Sequence, residues 1–103
     1  MKFNIHGKNI EITDSIEAYI EEKVGRLHKY FGQPDDMVAN ILVKVKGLDQ
    51  KIEVTIPTKN VILRAEEASK DLYAAIDLVS EKLERQIRKS KTKMQKHRQK
   101  ERY

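Results

Sequence analysis

Hydrophobic residues recur along this chain with two different periods, and the switches between them mark its elements. Phe3 and Ile5 alternate with polar neighbours in KFNIH, which predicts a short strand over residues 2–6. Gly7 to Asn9 read as a loop or bulge, after which Ile10 and Ile12 continue the apolar pattern. Steps of three and four residues then take over. Ile16, Ile20, Val24, Leu27 and Phe31 form one apolar face of a helix. Asp14 followed by Glu17 resembles a capping box at its start, and Gly32 and Pro34 stop it. Gly25 falls mid-helix, where glycine costs about 1 kcal/mol relative to Ala. Close approach of a neighbouring helix is one reason to find it there.

From Met37 the period returns to two. Met37, Ala39, Ile41, Val43 and Val45 share one face of a strand, and Gly47-Leu48-Asp49-Gln50 supplies a turn. Ile52, Val54 and Ile56 alternate with Lys51, Glu53 and Thr55 in the next strand. After a tight turn at residues 57–60, VILRAE (61–66) forms another, so these strands make an antiparallel meander. Ser69 is a plausible N-cap for a last helix whose stripe is Leu72, Ile76, Val79, Leu83 and Ile87. Beyond Ile87 the large apolar residues are Met94 and Tyr103, so the helix must project from the body or fray. The expected architecture is α+β, in the order β-α-β-β-β-α. A right-handed crossover joins the first two strands in parallel, and two helices pack on one face of a four-stranded sheet. The other face, with Lys44, Lys46, Lys51, Glu53, Thr55, Arg64 and Glu66, is expected to stay wet.

At 103 residues the chain has room for one domain and no deep catalytic cleft. The absence of cysteine removes disulfides, thiolate metal sites and a thiol nucleophile from consideration. MKFNIHGKN contains no apolar signal segment, and no run approaches a membrane span. The starting class is a soluble, intracellular, cytoplasmic, basic domain. Charge changes the picture further. Residues 1–84 hold 12 Lys+Arg against 15 Asp+Glu, whereas residues 85–103 hold nine against one. An acidic body thus carries a tail of net +8, a composition that favours a polyanion. Cations also suit a helix C-terminus, but that needs fewer of them.

Motifs for chemistry are missing. His6, His28 and His97 lack metal-ligand neighbours at helical spacing, so no metal or cofactor is expected. No nucleophile elbow, P-loop or dinucleotide fingerprint occurs, and adjacent acids such as Glu21/Glu22 diverge on a helix. The chain is read as a non-enzyme without a small-molecule substrate. Two basic rows remain. Lys23, Arg26 and Lys29 recur on the first helix, and Lys82, Arg85, Lys89, Lys93 and Lys96 on the last. If the helices lie side by side, both rows can line one groove and contact RNA phosphates. Ordinary i,i+4 pairing of Glu22 with Arg26, Glu81 with Arg85 and Glu84 with Arg88 is the competing account. No aromatic lies between residues 32 and 72, which argues against base stacking on the sheet. A last helix opening at Glu66-Glu67-Ala68-Ser69-Lys70-Asp71 would be acidic, unlike a double-stranded-RNA fold. Backbone and shape recognition by the helix faces is the remaining mode.

ITDSIEAYIEEKVGRLHKYF, IPTKNVILRAEE, and DLYAAID (71–77) followed by KLERQIRK (82–89) resemble the ribosome hibernation promoting factor family. It is also called ribosome-associated inhibitor A or sigma-factor modulation protein. The resemblance covers about residues 1–93 and implies a ribosome-binding domain there, with residues 94–103 a basic tail or the start of a linker. It implies binding to the small ribosomal subunit between head and body, over the mRNA and tRNA decoding positions, and inhibition of translation in stress or stationary phase. The implied rRNA-contacting residues are Lys23, Arg26, Lys29, Lys82, Arg85 and Lys89. Arg88 and the tail lysines, Lys93 among them, lie where the family varies.

Long family members add a linker and a dimerising domain, and some short ones an acidic C-terminal extension. This sequence ends at Tyr103 in a basic polar stretch with neither, and is read as either a short-form protein or the N-terminal part of a long one. It is expected to be a monomer that blocks translation without joining ribosomes through such a domain. Two alternatives have other bases: a general RNA-binding or RNA-chaperone module acting through the basic tail, and a protein-binding regulator acting through the acidic body.

Overall fold

Alternation at Ala39, Ile41 and Val43, and again at Ile52, Val54 and Ile56, turns every second side chain to one side, where all six are buried. In the computed structural model these residues belong to β2 (Val38–Lys46) and β3 (Asp49–Pro57). β1 (Lys2–Lys8) precedes them and β4 (Ile62–Ser69) follows. The structure describes residues 1–31, 37–58 and 61–101, with side chains described through Lys89. The stop at Gly32 and Pro34 and part of the turn at 57–60 lie outside the described residues.

The sheet runs β1-β2-β3-β4. β1 is parallel to β2, with Phe3 opposite Ala39 and Ile5 opposite Ile41. The other neighbours are antiparallel, with Val43 opposite Ile52 and Val54 opposite Ala65. The predicted α+β order β-α-β-β-β-α and the mixed four-stranded sheet are therefore both present. Helix α1 (Asp14–Gly25) contributes Ile20 and Val24 to the core. Helix α2 (Leu72–Glu101) contributes Leu72, Ala75, Ile76, Val79, Leu83 and Ile87. One cluster joins these residues to the sheet; no charged or polar residue is wholly buried among those described, although the Ser80 hydroxyl oxygen is shut off from solvent. Burying a Val, Leu or Ile side chain contributes roughly 1.5–3 kcal/mol. Ile87 is the last described residue of α2 to make that contribution. The helix continues to Glu101, and the longest dimension of the molecule is 54 Å.

Several boundaries differ from the sequence reading. Thr13, one residue before Asp14, caps α1: its Oγ1 accepts from the Ile16 amide at 3.2 Å. Asp14 and Glu17 occupy the first turn, where they suit the helix dipole. The α-helix ends at Gly25, and Arg26–Tyr30 tighten into a 3₁₀ segment that carries Leu27 into the core. At the other end, Glu66 to Ser69 are strand, not helix. Asp71 caps α2 by accepting from the Tyr73 amide at 3.1 Å, while Ser69 Oγ accepts from the Asp71 amide. The expected acidic opening of the last helix is thus the end of β4. The open sheet face is polar as predicted, and its acids and cations form a ladder: Lys44 to Glu53, Glu53 to Lys51, and Lys51 to Glu66.

Candidate nucleic-acid interface

Contacts between the helices step upward together: Tyr19 meets Tyr73 and Asp77, Lys23 meets Asp77, and Tyr30 meets Glu84. The two helices therefore run in the same direction, with a groove between them. Lys23, Arg26 and Lys29 form one wall. The 3₁₀ turn aligns the last two, because residues three apart eclipse when there are three residues per turn. The opposite wall is acidic: Asp77, Glu81 and Glu84. The two basic rows accordingly do not share one groove. Both flanks of the α2 stripe are charged, and the acidic flank faces α1.

The groove is fastened by tyrosines. Tyr19 Oη donates to Asp77 Oδ1 at 2.7 Å, and Lys23 Nζ lies 3.7 Å from the same oxygen. That bond is the first cause of a raised Tyr19 pKa, with burial and the Asp77 charge adding to it. Higher up, Tyr30 Oη donates to Glu84 Oε1 at 2.7 Å, and Arg88 Nη2 reaches the same oxygen at 2.7 Å. The Tyr30 hydrogen bond, then the charges of Arg88 and Lys29, hold the Glu84 carboxyl below its ordinary range. Arg88 thus belongs to the α1 side. Arg26 pairs with Glu22 at 3.1 Å, but both side chains are more than half exposed, at 60% and 57%. Such a pair is screened by solvent and is easily exchanged for a phosphate.

The second row lies on the far flank of α2. Lys82 Nζ is 3.6 Å from Glu67 Oε1 and 3.4 Å from the Glu66 carbonyl oxygen. Gln86 Nε2 donates to the Arg64 carbonyl oxygen at 2.9 Å. Together they cover part of the free edge of β4. Arg85 and Lys89 are exposed and make no ion pair among the described residues, so the proposed Glu81–Arg85 pair does not form. The side chains of Lys93 and Lys96 lie outside the described residues. The i,i+4 account therefore holds for Arg26 and Arg88 and not for Arg85.

Residues 3–95 match the family described as Sigma 54 modulation protein / S30EA ribosomal protein. The chain belongs to this family. It is 55% identical over 95 residues to a ribosome hibernation promotion factor of Lactococcus lactis subsp. cremoris, covering 91% of this chain and 51% of that protein. A Staphylococcus aureus protein of the same name is 56% identical over 95 residues, covering 91% and 50%. The chain thus spans about half the length of these curated relatives. Among solved structures, the Thermus thermophilus Protein Y N-terminal domain superposes with a TM-score of 0.77 at 34% identity, covering 86% of this chain and 98% of that one. A ribosomal subunit interface protein from Coxiella burnetii gives a TM-score of 0.76 at 24% identity, covering 89% and 99%, a likeness of fold.

Within this S30EA-family chain, the DLYAAID motif has a structural explanation: Asp71 caps α2, Tyr73 packs edge-on against Tyr19, and Asp77 receives the Tyr19 hydroxyl. Sequence reasoning missed Tyr19, Tyr30, Tyr73, Asp77 and Glu84 as parts of the site. The signal available for two of them was the i,i+4 spacing of Tyr73 and Asp77 on one flank of the helix. No group of residues suited to hold a metal ion occurs among the described residues. No described helix is long and apolar enough to cross a membrane.

Proposed function

We propose that this chain is the ribosome-binding part of a cytoplasmic hibernation factor. It occupies the mRNA and tRNA decoding channel of the small ribosomal subunit and inhibits translation in stress or stationary phase by obstruction, without catalysis. The observation that carries the reading is the 55% and 56% identity over 95 residues to proteins named ribosome hibernation promotion factor. The geometry agrees with a partner that is read through its backbone. α2 stands between two sets of cations: Lys23, Arg26 and Lys29 across the acidic groove, and Lys82, Arg85 and Lys89 on its outer flank. A phosphate lowered into the groove would meet Asp77, Glu81 and Glu84, so contact is made at the rim, where Arg26 and Lys29 are exposed. Arg88 adds to the cations on the α1 side, and Lys93 follows it in the sequence as a further candidate contact.

The test is co-sedimentation of the full chain with purified small subunits over a range of salt. If about six phosphates are engaged, log affinity falls with log salt with a slope of roughly −5. Changing Lys82, Arg85 and Lys89 together to Glu should abolish binding at moderate salt, and unchanged binding would remove these residues from the interface. The net +8 of residues 85–103 favours a second reading, binding through the tail alone. Truncation after Lys89 separates the two, since ribosome binding survives the cut only if the helix flanks carry it.

A further inference from the structure

The lower end of the interhelical groove holds an aromatic pair of which one ring, Tyr19, packs against the core while the other is left partly open. Tyr19 and Tyr73 meet with ring centroids 4.9 Å apart and planes at 82°. Tyr19 is fully engaged: its hydroxyl bonds Asp77, and Lys23 Nζ sits 5.4 Å from its ring centroid. Tyr73 is not. It is 39% exposed, and its hydroxyl makes no hydrogen bond among the described residues.

We propose that Tyr73 is a stacking platform for an unpaired base of the bound RNA, whose flanking phosphates run up the Lys23, Arg26 and Lys29 wall. The inference rests on the reading that the chain binds ribosomal RNA. Electrostatics select a base over a phosphate at this end. Around the aromatic pair, Asp71 caps the helix two residues before Tyr73, Asp77 accepts the Tyr19 hydroxyl, and Lys23 is already paired with Asp77. A phosphate is repelled there, whereas a base carries no formal charge and presents a π-face that any aromatic ring accepts. Tyr19 lies seven residues before Arg26, which is about 10 Å along a helix axis. Single-stranded rRNA segments are the RNA elements whose bases are free to stack in this way. The open sheet face has no aromatic residue among those described, which leaves the helix groove as the stacking surface.

The full chain is measured against purified small subunits across a salt series. Tyr73→Leu should weaken binding about 5- to 150-fold, the range found for loss of one base–aromatic stack. The slope of log affinity against log salt should stay unchanged, because no phosphate contact is removed. Tyr73→Phe and Tyr73→Trp should restore the affinity. A basic-wall variant with Lys23, Arg26 and Lys29 changed to Gln should instead lower the slope. If Tyr73→Leu binds like the parent while the basic-wall variant fails, the stacking proposal is overturned and the RNA reading stands. A reduced slope for Tyr73→Leu also overturns it, since the ring would then act by placing Lys23. If neither variant changes binding, the RNA reading itself is at fault. Should the leucine variant unfold, Tyr73→Gln supplies the same comparison.

Discussion

Two glycines, Gly7 and Gly25, should respond to alanine in opposite directions. Gly25 is helical at the α1–3₁₀ junction, with φ −60 and ψ −28. A Cβ built there meets only the Phe3 ring, at 3.5 Å, which is ordinary contact. The neighbouring helix that could have required this glycine is not what lies beside it. Gly25→Ala therefore removes backbone freedom from the unfolded chain without introducing a clash, and should stabilise by about 0.5–1 kcal/mol. At Gly7 a Cβ would lie 2.3 Å from the Ile10 carbonyl oxygen, and 3.1 Å and 3.2 Å from the Ile12 side chain. The obstacle is backbone, so the segment after β1 must move. Such overpacking costs about 1–3 kcal/mol. For a domain of this size 1 kcal/mol shifts Tm by about 4–8 °C. Gly25→Ala should then melt a few degrees higher, and Gly7→Ala lower by about 4 °C or more. Urea unfolding at neutral pH gives the free energies, provided the m-value is unchanged. A destabilised Gly25→Ala, or a neutral Gly7→Ala, would refute the steric reasoning. Because the Cβ at position 25 faces Phe3 and not the groove, Gly25→Ala should also co-sediment with small subunits as the parent does.

The upper clamp carries a pH signature. Glu84 lies below its ordinary value of 4.5 in the folded protein, chiefly through the Tyr30 hydrogen bond. A depressed carboxyl pKa adds stability above the unfolded value and loses it as pH falls through the folded one. Tyr30→Phe should therefore be less stable than the parent at pH 7, with the gap in urea midpoint narrowing as pH falls below the ordinary carboxylate value; a gap that is constant with pH would contradict this account. At the β4 edge, Gln86→Ala removes the donor to the Arg64 carbonyl and should cost about 0.5–1.5 kcal/mol. Adding Lys82→Ala uncovers more of that edge, so light scattering should show association growing with concentration, and a strictly monomeric double variant would mean that these side chains do not guard it.

What was legible in the sequence was what periodicity encodes. Ala39 to Val43 and Ile52 to Ile56 alternate cleanly, although Val45, expected on the same face, is exposed, and the stripe from Leu72 to Ile87 is buried at each of its predicted positions. The cap positions were ambiguous because Thr13 and Asp14 both suit an N-cap, as do Ser69 and Asp71, and propensity cannot choose between adjacent candidates. The shift to 3₁₀ at Arg26 was hidden because Leu27 satisfies either period. The groove was misjudged for a different reason. An apolar stripe says which side of a helix faces the sheet but leaves both flanks open. On α2 one flank carries Asp77, Glu81 and Glu84, and the other Lys82, Arg85 and Lys89. The flank that meets α1 depends on strand order, helix direction and the face of the sheet that the helices cover. The right-handed winding of the α-helix then decides which charges it presents. Topology, not composition, therefore makes α2 a divider between two cationic surfaces. The proposed RNA partner would have to meet them from either side of that helix, which the tyrosine clamps fasten to α1.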